Sequence, residues 1–228
     1  MRLLETKNTS KGNKAFTVIE LMVATSVFSI LLLLSLAGFL QIGQLFHKGV
    51  NITRTSDTAK QVINSIKNDI SYDAGTSTIA VQNSTIFVSG VGTVTRSYFC
   101  AGQNRYIYIR GSELDEDNKD VGSPSGWYRF GLLKEPYTSA NCSNPNSVPI
   151  NANTATELLG DKMRLSNLTI QPVLGSLYTL RVYIAYGDDE VLTSPANATN
   201  ARCQSGSNFS RYCFVADFTT TARRGIQP

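Results

Sequence analysis

Four cysteines, one histidine and a single carboxylate set in an apolar run are the residues of this 228-residue chain whose types and spacing invite chemistry. The cysteines are Cys100, Cys142, Cys203 and Cys213. None shows the close C-x-x-C spacing of a zinc site, and His47 lies far from them beside the apolar run, so the pattern predicts no metal centre. An even cysteine count in an exported domain predicts two disulfides. Three pairings are possible. The short polar loop between Cys203 and Cys213 favours that pair, which leaves Cys100 for Cys142.

Other polar clusters read as surface. ELDEDNKD, residues 113–120, holds five acids in eight residues. It lacks the central glycine and distal glutamate of a calcium loop, so it is read as a solvated loop. GDDE at 187–190 reads as a hairpin turn. Arg223 and Arg224 are two bases, too few for a nucleic-acid patch. Trp127 and Tyr128 read as core or interface. Strings such as Asn167-Leu168-Thr169 are expected by chance in a chain this rich in Asn, Ser and Thr. There is no G-x-S-x-G, no P-loop and no catalytic histidine set, so neither an enzyme nor a cofactor is predicted.

The carboxylate is Glu20. It stands at the start of AFTVIELMVATSVFSILLLLSLAGFL, residues 15–40. Leu21 to Leu40 carry no charge and no proline. As a helix, 20 residues rise ~30 Å, the thickness of a bilayer core. The run is too long for a secretory signal peptide, and no small-residue cleavage site follows it. Residues 1–14 hold Arg2, Lys7, Lys11 and Lys14 against Glu5, so most of the net charge of +4 sits in this leader. The positive flank predicts residues 1–14 in the cytoplasm and the rest outside. A carboxylate at the centre of such a span costs roughly 2.5–3.5 kcal/mol, and less near an end. Glu20 is therefore either an interfacial residue or one that awaits a positive partner.

The whole string decides between these. Lys11-Gly12-Asn13-Lys14-Ala15 followed by Phe16-Thr17-Val18-Ile19-Glu20-Leu21-Met22 resembles the class III signal of type IV pilins and type II secretion pseudopilins. The resemblance implies cleavage between Ala15 and Phe16, methylation of the new N-terminus at Phe16, and Glu20 as the fifth mature residue. Ala15 stands where the family usually has glycine. The family further implies that Glu20 meets the N-terminal amine of a neighbouring subunit. Two opposite charges in a filament core attract, and each would be costly there alone. An uncut leader would displace the amine and add basic residues at the packing seam.

The elements around this site follow from periodicity. Ala59, Val62, Ile63, Ile66 and Ile70 recur at helical spacing, with Lys60, Asn64, Lys67 and Asn68 elsewhere on the wheel. One helix is predicted from Phe16 to Ser71, ~80 Å at 1.5 Å per residue, with Gly38, Gly43 and Gly49 as weak points and a possible bend at 49–53. STIAVQNSTIFVSG, 77–90, is predicted as a hairpin turning at Gln82-Asn83. TRSYFCAGQNRYIYIRG, 95–111, is a second one turning at Ala101 to Asn104. Tyr106 and Tyr108 share one face there, Ile107 and Ile109 the other. GWYRFGLL, 126–133, is a further strand, and 134–155 a loop. Residues 163–173, 176–187 and 212–223 complete the strands. The fold class is α+β: a long N-terminal helix packed on an antiparallel β-sheet, as in the pilin family.

These readings divide the chain into a leader, 1–15, a helix, 16–71, and a β-rich outer domain, 72–228. The helix has a membrane or filament-core half, 16–42, and an amphipathic half, 43–71. The strand pattern near the C-terminus is similar to that of the larger minor pilins and J-type minor pseudopilins. The resemblance implies an inner-membrane precursor, then an extracellular or periplasmic filament. Its partners would be prepilin peptidase, the assembly platform and other pilin subunits. The alternative is a membrane-anchored binding or adhesion protein that never enters a filament.

Overall fold

A computed structural model describes residues 16–73, 79–88, 92–112, 130–136, 150, 153–188, 190–193, 202–205 and 212–225. The fold is α+β, with one long N-terminal helix and antiparallel sheets. The helix, α1, runs Val18–Ser71 without a break at 49–53. The structure divides between Leu45 and Phe46 into two units. The first, described from residue 16, is the apolar part of α1. The second holds the rest of α1 and every described strand.

In the second unit the stripe read from the sequence is the buried one. Ala59, Val62, Ile63, Ile66 and Ile70 are each at most 5% exposed, joined by Thr55, whose hydroxyl donates to the Asn51 carbonyl. They pack into one core with Phe99, Tyr106 and Tyr108 from one sheet and Leu165, Leu180, Val182 and Ile184 from another. Burying such side chains is the main favourable term for the unit, at roughly 1.5–3 kcal/mol each.

Where a single sheet was expected, the strands form two larger sheets and a two-stranded ribbon. The first sheet is β1 (Gln82–Val88), β2 (Gly92–Ala101), β3 (Asn104–Tyr108), β4 (Leu132–Pro136) and β5 (Thr156–Glu157), each paired with the next. The second has β6 (Met163–Leu174), β7 (Leu177–Tyr186) and β10 (Phe214–Arg223) in the order β10-β7-β6. The ribbon is β8 (Leu192–Thr193) with β9 (Arg202–Cys203).

Two sequence readings are corrected. Gln82 and Asn83 are no turn but the start of β1, which stays straight to Val88 and pairs with β2 rather than folding on itself. The Thr85-Ile86-Phe87-Val88 run is strongly β-forming and carries the strand onward, while Val88 opposite Gly92 marks the reversal. The strand placed at 126–133 is β4, shifted toward the C-terminus into residues assigned to a loop. Lys134 and Glu135 can lie in a strand because each has an ionic partner, Asp69 and Arg105. Residues 126–129 and 137–149 fall outside the described residues.

Elsewhere the pattern and the structure agree. β2 and β3 form the hairpin with its turn after Ala101. Tyr106 and Tyr108 face the main core, while Ile107 faces a smaller one with Tyr98, Phe130, Leu133 and Ile150. Along β6 the inward residues change parity, from Met163 and Leu165 to Leu168 and Ile170. A register shift between Leu165 and Asn167 accounts for it: Ser166 is the extra residue, so both halves keep their apolar side chains inside.

Candidate functional site

The site indicated by the sequence is the beginning of α1. Phe16 and Thr17 precede the helix, and Val18 is its first residue. The first amides of any helix lack intrahelical acceptors. Here Thr17 and Glu20 supply them to each other. The Thr17 hydroxyl accepts from the Glu20 amide at 3.3 Å. The Glu20 carboxylate reaches back and accepts from the Thr17 amide at 3.0 Å and the Thr17 hydroxyl at 2.9 Å. This is a capping box, the T-x-x-E arrangement in which cap and third residue satisfy each other's backbone. The T-x-x-E spacing was legible at positions 17 and 20, and the sequence reading did not use it. A negative side chain in the first turn also suits the positive end of the helix dipole.

Beyond this box the described residues of the first unit are largely exposed. Phe16 is 82% exposed, and Val18, Ile19, Leu33 and Phe39 are each two-thirds exposed or more. Nothing lies within 4 Å of a side chain built at Gly38 or Gly43. The helix is long and apolar enough to cross a membrane. Ala15, the residue before the expected cleavage point, lies outside the described residues.

The cysteines are accounted for differently. Cys203 and Cys213 are bonded to each other, with Cα atoms 5.5 Å apart. The bond ties β9 to the start of β10 over a small core of Ala185, Val191 and Leu192. Cys100 is also in a disulfide, and Cys142, its expected partner, lies outside the described residues. Among the described residues no group of three His, Cys, Asp or Glu could hold a metal. His47 sits in α1 with its ring edge-on to Phe46. The acidic stretch 113–120, Trp127 and Tyr128 lie outside the described residues.

The hairpin turn expected at 187–190 joins no hairpin: β7 ends at Tyr186 and pairs with β6 and β10, while the next strand, β8, pairs with β9. Gly187 has φ 140° and the Val191 amide donates to the Asp188 carbonyl at 3.0 Å, while Asp189 lies outside the described residues. Arg224 is engaged within the fold, paired with Asp73 at 2.7 Å, while its amide donates to Ser176 at 2.8 Å.

One polar cluster was missed by the sequence reading. Asp69, near the end of α1, accepts from Tyr106 at 2.6 Å, Asn104 at 2.8 Å and Lys134 at 2.9 Å. Burial first, and then the adjoining carboxylate, push the Tyr106 phenol well above its usual range, so it stays a donor. The three partners lie 35 to 65 positions away in the chain, and no local spacing announces such a meeting. Its chemistry is attachment: it fixes the end of the helix to β3 and β4.

Set against known families, residues 10–36 match the prokaryotic N-terminal methylation motif. No curated protein and no solved structure matches the chain. The motif spans Ala15, Phe16, the capping box and the apolar run as far as Leu36. The chain therefore carries a class III prepilin-type signal, that of a type IV pilin-like or pseudopilin-like precursor. Such a signal implies processing by a peptidase and assembly with other pilins, and with the apolar helix it points to membrane anchoring.

Proposed function

We propose that this chain is a structural subunit of a type IV pilus or a related pseudopilus, a minor pilin or J-type minor pseudopilin, and not an enzyme. One observation carries the reading. A methylation motif at residues 10–36 opens a helix whose apolar half is exposed among the described residues and whose only early charge is Glu20. Apolar side chains so exposed need a bilayer or other helices around them. Both are supplied in turn if the subunit waits in the inner membrane with residues 1–14 in the cytoplasm and is later drawn into a filament.

In this reading prepilin peptidase cuts between Ala15 and Phe16, and the new amine at Phe16 is methylated. Glu20 then meets the terminal amine of a neighbouring subunit on the assembly platform. The leader, 1–15, the helix, 16–71, and the outer domain, 72–228, serve targeting, packing and surface display. The minor assignment is supported by the length of the β-rich outer domain and by its closing strands.

The test separates insertion from assembly. Glu20→Ala should fractionate with membranes as the native chain does, while its share in sheared filaments falls at least tenfold, about 1.4 kcal/mol of lost interaction. Normal incorporation of that variant would overturn the reading. The N-terminal mass from native cells is the companion measurement. A chain beginning at methylated Phe16 supports it, and an intact leader beside an active peptidase favours a permanently anchored binding protein.

A further inference from the structure

We infer that Thr17 is a positioning residue for Glu20, dividing the work of the carboxylate between its two oxygens. The inference rests on the assembly reading above and adds a residue that reading does not contain. Both hydrogen bonds that Glu20 accepts from Thr17 end on Oε2. Among the described residues, none ends on Oε1. One oxygen therefore closes the start of the chain's own helix, and the other is left to a partner.

The physical consequence is preorganisation. A free glutamate side chain rotates about three torsions, and fixing it when a partner arrives costs conformational entropy. The two bonds from Thr17 fix the carboxylate beforehand. They hold it back against the first turn, one residue from Phe16, the position that becomes the chain's terminus after cleavage. The Glu20 amide donating to the Thr17 hydroxyl closes the same ring from the other side. Without the hydroxyl, the carboxylate keeps its charge but loses one of the two hydrogen bonds that aim it, and the Glu20 amide loses its acceptor. Thr17 thus acts on the pairing only through Glu20.

Three variants in the native cells, read for N-terminal processing, membrane fractionation and share in sheared filaments, test this. Thr17→Val keeps the shape and removes the hydroxyl. It should be cut and inserted like the native chain, with its filament share lowered on the order of fivefold, the size of a lost helix cap. Thr17→Ser keeps the hydroxyl and should stay within about twofold of the native share. Glu20→Gln can still accept from Thr17 but carries no charge, so it should keep the box and assemble no better than Thr17→Val. Native-like assembly of Thr17→Val overturns the inference, as does a Thr17→Ser variant as poor as Thr17→Val.

A second measurement decides the matter independently of filaments. In detergent micelles the amides of Thr17 and Glu20 should exchange with solvent at least fivefold faster in Thr17→Val than in the native chain or Thr17→Ser. Equal exchange in all three overturns the positioning role. If the native chain itself is absent from filaments, the assembly reading fails, and the exchange rates still say whether Thr17 holds Glu20.

Discussion

Glu157 shows how much one side chain can carry in this fold. Its carboxylate accepts from the amides of Gly131 at 3.0 Å, Leu132 at 2.8 Å and Leu159 at 3.1 Å. It thereby joins the entry of β4 to the exit of β5, a strand only two residues long. Amides favour the charged form, but burial outweighs them and pushes the carboxyl up to about 7, from an ordinary value of 4.5. The folded chain thus binds this proton more tightly than the unfolded one. The stabilisation is complete below pH 4.5 and is lost as pH rises through 7. Across that window roughly 3 kcal/mol of stability should disappear, at 1.36 kcal/mol per unit. Urea midpoints of the detergent-solubilised chain from pH 5 to 8 measure it, and Glu157→Gln should flatten the slope. A slope that survives in the variant belongs to another group.

At the scale of elements, the second half of α1 is held in two ways, and the sequence disclosed one of them. The apolar stripe Ala59, Val62, Ile63, Ile66 and Ile70 was legible because burial imposes a 3.6-residue period on the sequence. The fastening of the helix end was not. It depends on Asp69 meeting β3 and β4, and on close backbone approaches that leave only glycines as a trace. Gly102, in the β2–β3 turn, has φ 57°, and a Cβ there would lie 2.7 Å from the Asp69 carbonyl oxygen. Gly225 stands similarly against Ser71, 2.6 Å from its carbonyl oxygen. Gly102→Ala therefore meets both an unfavourable backbone region and a backbone atom that cannot swing aside. It should lower stability by roughly 1–3 kcal/mol, seen as an earlier thermal transition. An unchanged transition would mean that the turn moves away from the helix at no cost. The misplaced turn at Gln82-Asn83 has a related cause: local turn chemistry there is real but weaker than the seven-residue pairing with β2, which only the folded chain provides.

For the whole molecule, the sequence disclosed the site better than the sheets. Glu20 stood out because a charge is rare in an apolar run, and Thr17 was readable beside it by spacing alone. The sheet pairings are long-range, and β5, β8 and β9 are too short to show a period. The division at residues 45 and 46 follows from the same asymmetry. Every buried residue of α1 lies at or beyond Thr55. The apolar half should therefore supply membrane affinity and little folding free energy to the rest. The fragment 46–228 tests this directly. With its disulfides formed, it should be soluble without detergent. Its thermal midpoint should match that of the solubilised full chain to within the few degrees that about 1 kcal/mol represents. A fragment that aggregates or melts far lower would show that the first unit stabilises the second, and that the core from Thr55 onward is insufficient by itself.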